Sequence, residues 1–340
     1  MPPASAAEWM ISVKTAKKLP KILVSLLTAF GVMVLTIPVM AAESADSLSA
    51  EPVVTNLLSS LGESGNFSAV KTLKDANDEN RYSYLPFSSG GYLIYDSKFN
   101  IVTEYSTSTS NSYIESTDLV YYAGALQYFI ENENSFVEIP TGNIIGSKEY
   151  FTSYFNAIDS EVKQNYAKTR SSLPDTRAAH YISGNVPNYK HNPDGICGST
   201  SVAMLLRWYD IYKNQKYVPS SLESGDGVAL IEHLRGYIDG DVPGSVAGDV
   251  FNGIMSYCSS QGISHPGGFD GYNDNYVVGR VDTYGTPFLL IIHNHPTYKN
   301  HWITGYGYNV SDGTCYPIAN DGWGNTNVSI NPIYASQIVW

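Results

Sequence analysis

The segment "NPDGICGSTSVAMLLRWYDIY", Asn192 to Tyr212, constrains the fold more than any other stretch of the chain. Val202, Leu205, Leu206, Tyr209 and Tyr212 recur at helical spacing, which predicts a helix with one apolar face. A loop carrying Pro193 and Gly195 delivers the chain to Cys197 at the mouth of that helix. From this stretch alone Cys197 reads as a small buried residue, half of a disulfide, or a nucleophile. A thiol at a helix N-terminus faces unsatisfied N–H groups and the positive end of the dipole, a setting that favours thiolate. Gly198 lets the backbone approach a substrate closely, and the small Ser199, Thr200 and Ser201 leave the first turn uncrowded.

After residue 181 helical patterns give way to strands. "GVALIEHLRGYI" and "VAGDVFNGIMSYCSSQG" predict two further helices. "TPFLLIIHN", "HWITGYGYN", "TCYPIAND" and "VSINPIY" predict strands. Helices followed by an antiparallel-looking set of strands make the fold class α+β. Upstream, residues 43–60 read as a polar lead-in running into a short helix, and "GYLIY" and "IVTEY" flank the turn "DSKFN" as a hairpin. "LVYYAGALQYFI" and "YFTSYFNAIDSEVKQNY" both carry helix-compatible spacing. The 27 tyrosines, against 11 phenylalanines, suit half-wetted β surfaces where the ring is buried and the hydroxyl solvated.

Residues 167–180, "AKTRSSLPDTRAAH", lack apolar periodicity and hold Lys168, Arg170, Pro174 and Arg177. They read as a linker between domains, of the exposed polar kind where proteolysis concentrates. At the N-terminus, Lys14, Lys17, Lys18 and Lys21 precede the apolar run "ILVSLLTAFGVMVLTIPVM", followed by Ala41 and Ala42. This is the pattern of a secretory signal peptide over residues 1–42. An uncleaved membrane anchor is the rival reading, against which Pro38 and the polar acidic stretch that follows favour cleavage. Residues 1–41 hold four lysines and one glutamate, so their loss takes the net charge from -12 to -15. The expected product is secreted and acidic, with no stable membrane partner after signal removal.

That charge, and the absence of Lys/Arg runs interleaved with aromatics beyond residue 21, argue against nucleic acid as a partner. No repeat, zinc spacing, phosphate loop or dinucleotide fingerprint is present, and no cofactor is implied. His293, His295 and His301 fall close together, but further ligands at metal-binding spacing are not evident, so no metal site is expected. Three cysteines allow one disulfide at most. A Cys258–Cys315 pair would leave Cys197 as the free thiol, a geometry that sequence does not reveal.

A nucleophile needs a base. His301 opens "HWITGYGYN", a strand-like run that would hold an imidazole on a rigid sheet. In "IANDGWGN", Asn320 or Asp321 stands before Trp323. An acceptor there would fix the histidine tautomer, and the indole would shield the bond from water. The order Cys197, His301, Asn320/Asp321 resembles that of the papain-like cysteine peptidases. It resembles more closely the secreted bacterial kind related to streptopain and to the double-glycine leader peptidases. The matching pieces are "CGSTSVAMLLRWYD", "GTPFLLII", "HWITGYGYN" and "NDGWG", spread over residues 181 to 340.

The resemblance implies a papain-like catalytic domain at residues 176–340, with a helical half carrying Cys197 and an antiparallel sheet carrying His301. Cys197 would be the nucleophile and His301 its base. Asn320 would orient His301, with Asp321 as second choice, and Trp323 would be the shielding aromatic. Where the family often has an oxyanion glutamine, this chain has Lys190, His191 and Asn192. Asn192 then becomes the candidate side-chain donor, beside the backbone N–H of Cys197. "GGYLIYDSKFNIVTEYS" is similar to pro-region hairpins of streptopain-like zymogens. It implies a separate α+β pro-domain at residues 43–175 that acts as an intramolecular inhibitor. The function implied is a secreted endopeptidase acting on proteins or peptides. The alternatives are a thiol amidase of cell-wall peptides, whose "DCSGF"-type start is missing, and a catalytically inactive binding or adhesion protein.

Overall fold

Continuous runs of buried residues on "TPFLLIIHN" and "HWITGYGYN", 288–292 and 301–305, form the spine of the fold. Phe288–His295 pairs antiparallel with Lys299–Ser311, which pairs on its other side with Thr314–Asn320. Register places Ile292 opposite His301 and Thr304 opposite Asn320. The computed structural model describes residues 44–166, 173–176, 178–213, 216–239, 245–295 and 299–340, apart from the side chains of residues 293–295 and 299. These residues belong to one compact unit, residues 42–340. The signal-like segment lies outside the described residues, as do residues 167–172 and 177 of the linker and the side chains of His293 and His295. Among the described residues no helix is long and apolar enough to cross a membrane.

The fold class is α+β, as the pattern predicts. Among the described residues eight α-helices accompany a 15-stranded sheet whose pairings are antiparallel except for Lys74 with Tyr121. Val328–Ile330 joins its two halves, pairing with Thr314–Asn320 on one side and Ile101–Ser106 on the other. The predicted hairpin is present as Tyr92–Asp96 paired with Ile101–Ser106. Its Glu104 is fully buried and accepts hydrogen bonds from the hydroxyls of Tyr92 (2.8 Å), Tyr122 (3.1 Å) and Tyr128, and from the Leu126 N–H (2.6 Å). Burial pushes this carboxyl upward, so tyrosine hydroxyls take the place of a cation.

The stretch "LVYYAGALQYFI" is not helical. Tyr121–Tyr122 and Tyr128–Asn132 form an antiparallel pair about a tight turn. Gly124 explains the difference: its φ is 119°, and a Cβ there would stand 2.6 Å from the Tyr334 ring. The apolar run satisfies its spacing instead through an aromatic cluster in which Tyr121, Tyr122, Tyr128 and Phe129 are all buried. The N-terminal helix is also two pieces, Ala45–Ser49 and Pro52–Leu61, since Pro52 lacks the N–H a continuous helix needs.

Cys197–Tyr212 is a helix, yet it does not have a single buried face. Besides Val202, Leu205, Leu206 and Tyr209, it buries Cys197, Gly198, Ser199, Thr200 and Ser201, while Tyr212 is 45% exposed. Small residues allow this first turn to be enclosed on every side. Val228–Ile238 and Ala247–Ser260 pack beside it, and the sheet covers its other flank.

Candidate active site

Three short segments meet at the first turn of that helix. Cys197 is its first residue, 1% exposed, and its thiol donates to the Asn300 carbonyl at 3.8 Å. The backbone N–H of Trp302 also points at the sulfur. Both groups flank His301 on the strand Lys299–Ser311, so the sulfur lies against the same end of that strand that carries the imidazole.

His301 is buried, and its Nε2 lies 2.9 Å from the carbonyl oxygen of Asp321. A carbonyl only accepts, so Nε2 carries a hydrogen, and in the neutral ring Nδ1 is the nitrogen left to act as a base. The imidazole stacks on Trp323 with ring centres 4.0 Å apart and planes 10° from parallel. The Asp321 carboxylate is engaged within its own loop. It accepts from the backbone N–H groups of Trp323 (2.8 Å) and Asn325 (3.0 Å) and from the Asn325 amide (2.6 Å). This holds the loop that brings both the Asp321 carbonyl and the Trp323 ring to the histidine. Burial pushes the carboxyl up to about 6, against the opposing pull of those donors.

Asn320, the first-choice orienting residue, is turned elsewhere. Its side chain accepts from the Tyr306 hydroxyl at 3.0 Å and donates to the carbonyls of Val186 (3.3 Å) and Pro187 (3.0 Å). The contact to His301 comes from the main chain one residue on, which no side-chain alignment distinguishes. Asn192, the candidate oxyanion donor, has both amide atoms buried with no hydrogen-bond partner among the described residues. Its segment is tied to the nucleophile helix by the Thr200 hydroxyl, which donates to the His191 carbonyl at 2.7 Å.

The electrostatics of Cys197 differ from the helix-terminus expectation. The thiol is pushed up to about 12, first by burial and then by the negative charge of Asp239. The backbone N–H groups of Trp302, Gly198 and Cys197 pull the other way and are outweighed. Asp239 is the missing helix cap. Its carboxylate accepts from the Ser199 N–H at 2.8 Å and from the Ser199 hydroxyl, and the Ser245 hydroxyl donates to it at 3.0 Å. Gly198 is required by this cap and not only by a substrate, since a Cβ there would lie 2.7 Å from both Asp239 Oδ1 and Ser245 Oγ. Ser245 in turn accepts from Trp302 Nε1 at 3.0 Å through its carbonyl, binding the cap to the histidine strand.

Neither a protein-family model nor a curated protein matches the chain. Cys258 and Cys315 are both free and buried. Sequence reasoning missed Asp239 and Ser245, whose only local signal is an acidic, Gly/Pro-bearing stretch after a helix. It also missed Tyr113 of the N-terminal half, whose hydroxyl donates to the Trp323 carbonyl at 3.4 Å.

Proposed function

We propose that the protein is an exported cysteine endopeptidase of papain-like fold, made as a zymogen and acting on proteins or peptides. The observation that carries this reading is the Cys197 thiol lying against the main chain on both sides of a histidine whose other nitrogen is already engaged. In the active form His301 Nδ1 takes the thiol proton, and the sulfur attacks the scissile carbonyl to form a tetrahedral oxyanion. The Asn192 amide and the Cys197 N–H are the donors available to that oxygen. Collapse breaks the C–N bond, His301 returns its proton to the leaving amine, and water then hydrolyses the thioester.

A buried, protonated thiol is the state expected of a latent precursor, because only the thiolate attacks. In this reading residues 43–175 act as the inhibitory pro-domain, and Tyr113 at the Trp323 loop is its nearest grip on the site. Cutting the linker would release that grip and let the thiol and imidazole exchange their proton. The same buried thiol also suits an inactive binding protein, so activity must decide between them.

Purified protein lacking residues 1–42, incubated under reducing conditions near neutral pH, should shorten from about 300 to about 165 residues, the size of one domain. Cys197→Ala should abolish both this conversion and labelling by a thiol-directed epoxide. Protein that neither labels nor cleaves casein after its linker is cut would overturn the peptidase reading in favour of a binding module. Activity confined to isolated cell-wall peptides would instead identify an amidase.

A further inference from the structure

Away from Cys197, a cavity of about 330 Å³ opens between the helix Asp274–Val278, the π-helical segment Gly279–Tyr284 and Trp340. Its walls include Tyr276 and Trp340, which stack with ring centres 4.9 Å apart and planes at 25°. Arg280 also lines it and is only 8% exposed. Single π-helical turns are costly in hydrogen-bond geometry and recur at functional sites.

Arg280 carries the argument. Its Nε is buried without a hydrogen-bond partner, and among the described residues it forms no ion pair. Two ring faces meet the guanidinium, Tyr284 at 4.5 Å and Trp340 at 5.7 Å. Two acids of the flanking segments are engaged with tyrosines: Asp270 accepts from the Tyr276 hydroxyl at 2.6 Å, and Asp282 from the Tyr308 hydroxyl at 2.6 Å. His265, also buried, is pushed down to about 4, by burial first and by the charge of Arg280 second. A buried charge without a counter-ion is expensive, and Arg280 stands over open volume.

We propose that this cavity binds a carboxylate carried on an aromatic group, with Arg280 gripping the carboxylate and the Tyr276–Trp340 wall taking the ring. The planar guanidinium fork matches a carboxylate in two parallel hydrogen bonds. One cation balances one negative charge, whereas a phosphate dianion would leave charge over in an apolar site. Tyr209, whose hydroxyl is influenced by Arg280, lies on the same helix as Cys197 but about 18 Å further along its axis. None of the residues lining the cavity is among those that surround Cys197 and His301, so it is a second site.

Titration calorimetry on the full chain with N-acetylphenylalanine, 3-phenylpropanoate and N-acetylphenylalaninamide tests this. Both acids should bind, and the amide should bind at least about tenfold more weakly, since it offers no charge to the guanidinium. Equal affinity for the two acids assigns the site to free aromatic acids, and preference for the N-acetyl acid assigns it to the C-terminus of a peptide. Arg280→Gln should lose acid binding, and Tyr284→Ala, at an exposed residue of the rim, should weaken it while leaving the melting temperature unchanged. Equal binding of acid and amide by the unaltered protein, or no binding of either acid at millimolar concentration, overturns the proposal.

Discussion

The carboxylate of Asp239 accepts the backbone N–H of Ser199 at 2.8 Å, two residues beyond Cys197. It thereby occupies the positive end of the helix that would otherwise stabilise a thiolate. Cap and nucleophile compete for the same dipole, and with the thiol buried the cap prevails.

Asp239→Asn keeps an acceptor for Ser199 but removes the charge. Alkylation of Cys197 by iodoacetamide at mildly alkaline pH should speed up by about tenfold, as a lowered thiol pKa exposes more thiolate. Asp239→Ala should show the same sensitisation and also cost about 1 kcal/mol for the lost cap. An unchanged alkylation profile in the Asn variant would mean that burial alone holds the thiol neutral.

Asn192 separates stability from catalysis. Its amide atoms are buried and unpartnered, which penalises the folded chain by about 1–3 kcal/mol. Asn192→Ala should therefore melt no lower than the parent. If the amide meets an oxyanion, the same substitution should lower kcat by about 10²-fold with little change in KM. A variant with full kcat would remove Asn192 from the oxyanion site.

The helix Cys197–Tyr212 was legible from the helical spacing of Val202, Leu205, Leu206 and Tyr209, and the long strands after Thr286 from runs of apolar, β-branched and aromatic residues bounded by turn residues. The pair Tyr121–Tyr122 and Tyr128–Asn132 was not, because its apolar residues fit a helix as well as two short strands. There the decision rests on Gly124 against Tyr334, a contact more than 200 residues away in sequence. Cys197, His301 and Trp323 could be named from local context, and the structure brings His301 against Trp323 and Cys197 against the strand that bears His301. The acceptor for His301 was legible only to within one residue, since a backbone carbonyl leaves no mark on side-chain identity. Asp239 was invisible for a related reason: it caps a helix that begins 42 residues earlier.

Trp323 should matter through its face. Trp323→Phe keeps a ring over His301 and should retain most activity, since ring stacking contributes about 0.5–1.5 kcal/mol beyond burial. Trp323→Ala opens the site and should cost about 3–5 kcal/mol of stability. Imidazole proton resonances followed by NMR across pH would read the change directly. A His301 titration identical in Phe and Ala variants would show that the stack does not influence the base.

Asp321 predicts how the histidine loop responds to pH. Its carboxyl is pushed from an ordinary value of 3.8 up to about 6 by burial, so the native state holds this proton more tightly than the unfolded chain. The stability it contributes is present below the unfolded value and is lost as pH rises through about 6, amounting to about 3 kcal/mol in all. Asp321→Asn leaves the group permanently neutral and preserves an acceptor for the Trp323 and Asn325 N–H groups. Denaturant unfolding at a series of pH values should therefore give the parent a downward slope between about 4 and 6 that is missing from the variant. The same slope in both proteins would place the responsible proton on another group and leave the Asp321 carboxylate ionised throughout.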